Sequence, residues 1–378
     1  MTDYEYLIHL LYCAVNDTQP QEKPESVSFQ NVLSIAALHE VVPMAYCSIE
    51  RLQNKPEEET YRQWQLQYYF AVQRDVRQAA ERDAVVAMLH AQGIRTLEAQ
   101  GTVTKRLYPS PELRMMSDID FIVDADNMAA VKELLQAAGY AVKHDFTEEV
   151  ETESPDGLNV EFHTDFFKQT MYDRKERFAD ALNNAFAHAM PDENDGLTYW
   201  LDDTYFYLFS LLHIIKHYET AGCGIRRIMD LYYLNKAFEG KIDTAVTEKV
   251  IAQYRFGESR DALMALEAFW LEGAAPERDL ADVILKVLGS GNHGNKTVYT
   301  QNSIQKDRQE GVRLPVFKRV LRVIFPTKKH VYLNYPVCRE RGYSLLRSRL
   351  YYWIHKLKDG RLRAGAAYLK RIIHSSRK

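Results

Sequence analysis

Residues 118–123 read Asp-Ile-Asp-Phe-Ile-Val, so that two carboxylates one residue apart begin an otherwise apolar run. Such a run predicts a buried strand, and alternate side chains of a strand point to the same face. Asp118 and Asp120 are therefore expected to project together, where they repel one another unless they are protonated, solvated or bridged by a cation. A divalent ion such as Mg²⁺ is the bridge that also clamps substrate phosphates. The alternative is a strand end that only caps the next helix.

A second strand with a carboxylate is predicted at residues 157–163, which read Gly-Leu-Asn-Val-Glu-Phe-His and alternate apolar with polar side chains. A carboxylate such as Glu161 in a buried strand costs several kcal/mol unless it has a partner. The simplest partner is the pair Asp118 and Asp120, if the two strands lie side by side. The alternative is an edge strand whose polar face meets water.

A turn that can meet an anion is predicted upstream of both strands. Residues 94–99 are expected to form a further strand, after which Gly101 and Thr102 open a helix that continues to Tyr108. Free backbone N–H groups at the start of a helix attract anions. An ordinary strand-to-helix turn is the alternative.

Most of the remaining pattern is helical. Residues 58–92 contain no Gly or Pro and repeat apolar side chains on one face, which predicts a long amphipathic helix. A second clear helix is predicted over 125–138, ended by Gly139. Further helices are expected over 4–15, 28–53 with an interruption at Pro43, 203–218, 225–238, 244–254 and 281–288.

The fold class predicted from these patterns is α+β, with a small mixed-sheet core embedded in N- and C-terminal helical regions. The predicted organisation is an N-terminal helical region over 1–92, the core over 93–170, a helical domain over 171–300 and a basic C-terminal helical region over 301–378.

The composition indicates a folded protein of the cytoplasm. The 378 residues are 46% hydrophobic and 26% charged, which is ordinary for globular proteins. The four cysteines form no Cys-x-x-Cys pair, which favours a reducing compartment over disulfides or zinc. The N-terminal residues lack the pattern of a signal peptide, and no apolar run approaches the length of a membrane-spanning helix.

The three carboxylates occupy a pattern that resembles the nucleotidyltransferase superfamily related to DNA polymerase beta, and in particular its uncharacterised bacterial nucleotidyltransferase family. The residues that carry this resemblance are Leu-Tyr-Pro at 107–109, Arg114, Ser-Asp-Ile-Asp at 117–120, Val-Glu-Phe-His at 160–163, and, in the helical half, His213, His217 and Arg-Ile-Met-Asp-Leu at 227–231.

The resemblance implies a metal-dependent transfer of a nucleoside monophosphate from an NTP to an acceptor that the sequence does not identify. It implies that Asp118, Asp120 and Glu161 are catalytic and bind Mg²⁺, or Mn²⁺ in its place. It further implies that the nucleotide is bound by Gly101, Thr102, Arg114 and Arg227.

One departure from the family pattern supports a different function. The family usually has Leu-Lys-Gly before its first helix, whereas residues 99–101 read Ala-Gln-Gly. Gln100 supplies no positive charge to a phosphate, although Gly101 and Thr102 still offer backbone N–H groups. The alternative function is a non-catalytic binding or adaptor protein that retains the nucleotidyltransferase fold.

Two groups of residues in the helical half allow more than one interpretation. His213 and His217 share a helix face at a spacing that can bind zinc, but no third ligand is evident, and packing or substrate contact is favoured. Arg226 and Arg227 lie four and three residues before Asp230, so an ion pair on the helix is expected for one of them. A phosphate contact by Arg227 is the alternative.

The C-terminal part of the chain is strongly basic. Residues 311–378 contain 18 Lys and Arg against two acidic residues, whereas the rest contains 30 basic and 50 acidic residues. Such a segment either docks on the acidic body or meets a polyanion, and an anionic acceptor or an acidic membrane surface are the candidates. Its clustered aromatic residues are more typical of a packed helix than of nucleic-acid binding, so no strong nucleic-acid signal is present.

Overall fold

The computed structural model describes residues 1–98, 101–146, 149–165, 184–292 and 337–358, together with scattered positions between 294 and 335. The helices are α1 Asp3–Val15, α2 Phe29–Leu38, α3 Val42–Ile49, α4 Glu58–His90, α5 Gly101–Thr104, α6 Met128–Ala137, α7 Asp203–Glu219, α8 Ile225–Phe238, α9 Thr244–Tyr254, α10 Gly257–Glu267, α11 Ala281–Leu288, α12 Val337–Glu340 and α13 Leu345–Lys358.

The strands of the described chain form one mixed sheet. They are β1 Thr96–Glu98, β2 Asp118–Ile122, β3 Ala141–Phe146, β4 Glu149–Glu153, β5 Asn159–His163, β6 Ala189–Pro191 and β7 Thr198–Leu201. Their order across the sheet is β3-β4-β5-β2-β1-β7-β6. With helices on both sides of it in the chain, this sheet confirms the predicted α+β class.

Local signals explain several of the element boundaries. Thr2 and Glu5 form a capping box at the start of α1, and the Asp202 side chain accepts a hydrogen bond from the backbone N–H of Tyr205 at the start of α7. Gly139 follows α6 with a φ of 88°, a conformation that glycine adopts without strain. The helix predicted over 28–53 breaks at residues 39–41, slightly before the predicted interruption, and Pro43 lies in the first turn of α3.

Burial of the apolar side of the sheet determines which side chains project from its other side. Ile119, Phe121, Val160 and Phe162 are fully buried in one cluster with side chains of α4 and α6. The rings of Phe121 and Phe162 stack with their centroids 5.5 Å apart. A slip of one residue would turn these side chains away from the core, so their burial pins the register of β2 and β5.

The strands β3, β4, β6 and β7 were not predicted from the sequence. β7 pairs in parallel with β1, and β6 pairs with β7 as the edge of the sheet. The sheet therefore includes residues beyond the predicted core range of 93–170. Residues 171–183 of the helical domain predicted over 171–300 lie outside the described residues.

Candidate active site

The pairing of β2 with β5 brings the predicted carboxylates together. The two strands run parallel, with Asp120 directly opposite Glu161 and Asp118 opposite Asn159. The side chains of Asp118 and Asp120 share the face opposite to the apolar cluster. The prediction that the two strands lie side by side is confirmed, and the edge-strand alternative is wrong because β5 lies between β2 and β4.

His163 joins this group, although no role was predicted for it from the sequence. Its Nε2 atom lies 3.3 Å from Oδ1 of Asp120 and 3.8 Å from Oε2 of Glu161. One candidate ligand atom from each of these three residues lies within 4.8 Å of the others. His163 follows Glu161 by two residues on the same strand, so the alternation that placed Glu161 already placed the imidazole on the same face.

Strand β4 extends the acidic surface by two glutamates that were not predicted from the sequence. Glu151 lies opposite Glu161, and Glu149 lies opposite His163. The carboxylate of Glu149 is buried, with Oε1 3.8 Å from Nδ1 of His163. Glu149, Glu151 and Glu161 form a second group whose ligand atoms lie within 4.8 Å of one another.

This concentration of acid changes the protonation of the site. Burial, followed by the negative charges of Asp120, Asp118, Glu151 and Glu149, raises the pKa of Glu161 to about 9. Burial and the charge of Asp120 also raise the pKa of Asp118, against the opposing charges of Arg226 and Arg227. With a pKa of about 9, Glu161 keeps its proton at neutral pH, and a cation bound beside it would displace that proton.

Arg114 lies in a buried ion pair and not at an open surface. Its Nε and Nη2 donate to the two carboxylate oxygens of Asp230 at 2.7 and 2.9 Å, and the side chains of the pair are only 3% and 2% exposed. Tyr108 donates a third hydrogen bond to Asp230 at 2.8 Å. The nucleotide contact predicted for Arg114 stays a prediction, which these partners do not support.

The ion pair expected between Asp230 and an arginine of its own helix is wrong. Arg226 instead donates to Oε2 of Glu40 at 2.7 Å, and also to the backbone carbonyl of Met115. Within the described residues, Arg227 forms no ion pair, and its buried Nε has no hydrogen-bond partner. Burial and the charge of Arg226 lower the pKa of Arg227 to about 10. A bound anion would stabilise the Arg227 guanidinium in this environment.

Gly101 and Thr102 begin helix α5, as predicted, and Thr102 is buried. The α-helix ends at Thr104 and does not continue to Tyr108 as predicted, because a 3-10 turn follows it. The carbonyl of Gly101 accepts a hydrogen bond from Nη1 of Arg114 at 3.3 Å. A Cβ at Gly101 would lie 3.1 Å from Sδ of Met116, which explains a small residue here. Gln100, whose uncharged side chain supports the adaptor alternative, lies outside the described residues.

His213 and His217 share a helix face, as predicted, and their Nε2 atoms are 2.7 Å apart. Burial, together with the charges of His217 and Arg227, holds the pKa of His213 well below its ordinary value. Among the described residues, neither histidine belongs to a group of three candidate metal ligands. The pair packs on α7 beside Arg227.

The sheet topology and the acidic strand pair define an α+β protein of the nucleotidyltransferase type. The chain belongs to the family described as uncharacterised nucleotidyltransferase, whose sequence profile matches residues 25–271. This membership confirms the resemblance and supports a nucleotidyl-transfer role.

The solution structure of the antibiotic-resistance factor ANT(2'')-Ia matches this fold with a TM-score of 0.36 and 11% sequence identity, over 52% of this chain and 98% of that chain. No curated protein matches this chain.

Proposed function

We propose that the protein transfers a nucleoside monophosphate from an NTP to a hydroxyl or phosphate of an acceptor, with Mg²⁺ or Mn²⁺ bound at Asp118, Asp120 and Glu161. The observation that carries this proposal is the parallel register that sets Asp120 opposite Glu161. Family membership supports the same class of reaction.

The donor set fits such an ion. Carboxylate oxygens suit Mg²⁺ and Mn²⁺, and the high pKa of Glu161 reflects negative charge that a cation would neutralise. The imidazole of His163 beside Asp120 is a ligand that Mg²⁺ uses less readily than transition metals do. Mn²⁺ is therefore as good a candidate as Mg²⁺.

The three carboxylates would have different roles. When bound, the cation neutralises charge on the triphosphate and on the departing pyrophosphate. Asp118 and Asp120 would bind the cation where it contacts the triphosphate. Glu161 orients the acceptor hydroxyl and takes its proton while the acceptor oxygen bonds to the α-phosphorus and the bond to the bridging oxygen breaks. The products are the nucleotidylated acceptor and pyrophosphate.

Arg227 is the best candidate in the helical half for contact with a phosphate. Its buried Nε has no hydrogen-bond partner among the described residues, and its charge opposes the rise in the pKa of Asp118. A phosphate beside Arg227 would satisfy this donor and balance its charge. Gly101 and Thr102 would add backbone N–H groups. Arg114 would act through Asp230, as a positioning residue.

The direct test is Asp120→Asn. The matched control is Asp126→Asn, because Asp126 is an exposed aspartate in the helical turn that follows β2. Asp120→Asn is expected to abolish turnover and metal-dependent NTP binding, measured by calorimetry, and to leave the unfolding temperature nearly unchanged. The control is expected to behave as the unmodified protein. Undiminished metal-dependent NTP binding by Asp120→Asn would contradict the assignment.

The adaptor function remains the second candidate because of Gln100. It predicts no binding of any NTP in the presence of Mg²⁺ or Mn²⁺, whereas the transferase predicts binding of at least one. If an NTP binds, labelled NTPs incubated with sugar phosphates, aminoglycosides, RNA ends and protein fractions would identify the acceptor. We also propose the predicted division at 92, 170 and 300 as the organisation of the chain. It does not guide the design of fragments, because a cut at 170 would separate β1 from β7, its neighbour in the sheet.

A further inference from the structure

Helix α13, residues Leu345–Lys358, is fixed to its surroundings along one side. Ser348 and Tyr352 are buried, and Tyr352 belongs to a small cluster with Val331 and Cys338. The Nε1 atom of Trp353 donates to the carbonyl of Ile324 at 3.0 Å. These contacts determine which side of α13 faces outward.

The outward side is a stripe of aliphatic residues. The exposed fractions are 80% for Leu346, 61% for Leu350, 41% for Ile354 and 57% for Leu357. Spacings of four, four and three residues place all four side chains on one face of a helix. Isolated exposed leucines are common on protein surfaces, but a continuous row along one helix marks a surface that another apolar phase covers.

Basic residues border this stripe on both sides. At 3.6 residues per turn, Arg347 follows one border, and Arg349 and Lys356 follow the other. The Arg347 guanidinium lies over the ring of Tyr343 at 4.2 Å, and Lys356 Nζ lies 5.1 Å from the ring of Tyr352. Helix α13 contains no acidic residue.

We propose that α13 lies flat on an anionic lipid surface, with the Leu346–Leu357 stripe among the acyl chains and the bordering basic residues at the headgroups. An apolar stripe between two basic borders is the pattern of interfacial helices. The surplus of 16 positive charges over residues 311–378 gives the same segment a long-range attraction to anionic lipid. Among the described residues, no helix is both long enough and apolar enough to cross a bilayer.

Charge also argues against a second copy of the chain as the occupant. Two α13 helices packed stripe against stripe would bring Arg347, Arg349 and Lys356 of one copy toward the same residues of the other. Without an acidic residue on the helix, these contacts repel. An anionic lipid surface supplies the opposite charge.

The test is co-sedimentation of the full chain with phosphatidylcholine vesicles that contain or lack phosphatidylglycerol. Binding is expected only with phosphatidylglycerol, and to weaken steeply as salt is raised. Leu350→Glu is expected to lower the partition coefficient by about tenfold or more. It replaces an apolar group that would lie among the acyl chains with a charge that anionic lipid repels. Leu66→Glu, at an exposed leucine of α4, is the matched control and should bind as the unmodified protein does.

Thermal unfolding of both variants checks that the fold is retained, which is expected because both leucines are exposed. Equal vesicle binding by Leu350→Glu and the unmodified chain would overturn the proposal. So would a dimer in solution that Leu350→Glu dissociates, if the unmodified chain does not bind vesicles. Neither result bears on nucleotidyl transfer, since the carboxylate site is not altered.

Discussion

Replacement of Arg114 by Met is expected to destabilise the protein, and not to remove a direct contact with the nucleotide. The side chains of Arg114 and Asp230 are almost fully buried and share two hydrogen bonds of 2.7 and 2.9 Å. Removing one partner of a buried ion pair leaves the other charge uncompensated, which typically costs about 3–5 kcal/mol. Of the side-chain hydrogen bonds that Asp230 accepts from described residues, only the one from Tyr108 would then remain.

The pH dependence of this loss follows from Asp230. Burial alone raises the pKa of Asp230, but the charge and hydrogen bonds of Arg114 outweigh it and hold the pKa below its ordinary value. In the unmodified protein this group adds stability above the unfolded pKa, and that stability is lost as pH falls through the lower folded pKa. In Arg114→Met, burial of Asp230 is opposed by the charges of Arg226 and Arg227 but no longer by Arg114, so the folded pKa of Asp230 rises and the stability gained with rising pH is reduced or lost. The difference in the free energy of unfolding between the unmodified protein and Arg114→Met therefore grows from acidic to neutral pH.

Urea unfolding followed by circular dichroism measures the effect. The double variant Arg114→Met/Asp230→Leu is expected to recover much of the loss, because an apolar pair leaves no buried charge. Lys132→Met is the matched control, since its 3.1 Å pair with Asp145 is largely exposed and contributes about 1 kcal/mol or less. An unchanged unfolding midpoint for Arg114→Met, with a raised KM for NTP, would refute the structural role and restore the predicted phosphate contact.

Two further substitutions test the charge assignments. Burial and the charge of Glu272 raise the pKa of Glu267 from 4.5 to about 7, so its contribution to stability is full below the unfolded pKa and is lost as pH rises through about 7. Glu267→Gln should therefore leave the free energy of unfolding nearly unchanged at acidic pH. At alkaline pH it should raise that free energy by about 2 kcal/mol, allowing for partial solvent screening. An equal effect at both pH values in urea unfolding would contradict this. His163→Gln is expected to weaken Mn²⁺ binding by about 10–100-fold in calorimetry, whether the imidazole binds the ion or orients Asp120; unchanged affinity would remove His163 from the site.

The strand pair at the site was predictable because its signal is local. Alternation within 118–123 and within 157–163 separates apolar from polar faces, and burial of the apolar faces then forces the carboxylates together. The same reasoning would have found His163, whose face was fixed by its distance from Glu161. The strands Ala189–Pro191 and Thr198–Leu201 were missed because three or four residues give too little alternation to recognise.

The partner of Asp230 was not predictable from spacing along the helix. The positions of Arg226 and Arg227 permit an ion pair with Asp230, but Arg114, which is 116 residues away in the chain, binds it in the folded protein. Arg226 is drawn to Glu40, a contact across 186 residues. Side chains at helix spacing compete with such long-range partners, and burial decides in favour of the partner with the better bidentate geometry.

The charges around the carboxylates differ from one end of the site to the other, and this difference orients the proposed reaction. The cations Arg226 and Arg227 oppose the rise in the pKa of Asp118, whereas the main influences on Glu161 besides burial are all carboxylates. A triphosphate is attracted to the first environment and repelled by the second unless a cation lies between them. The NTP would therefore extend from Asp118 toward α8, and the acceptor hydroxyl would approach Glu161, the carboxyl group whose raised pKa makes it the stronger base once its proton has been displaced.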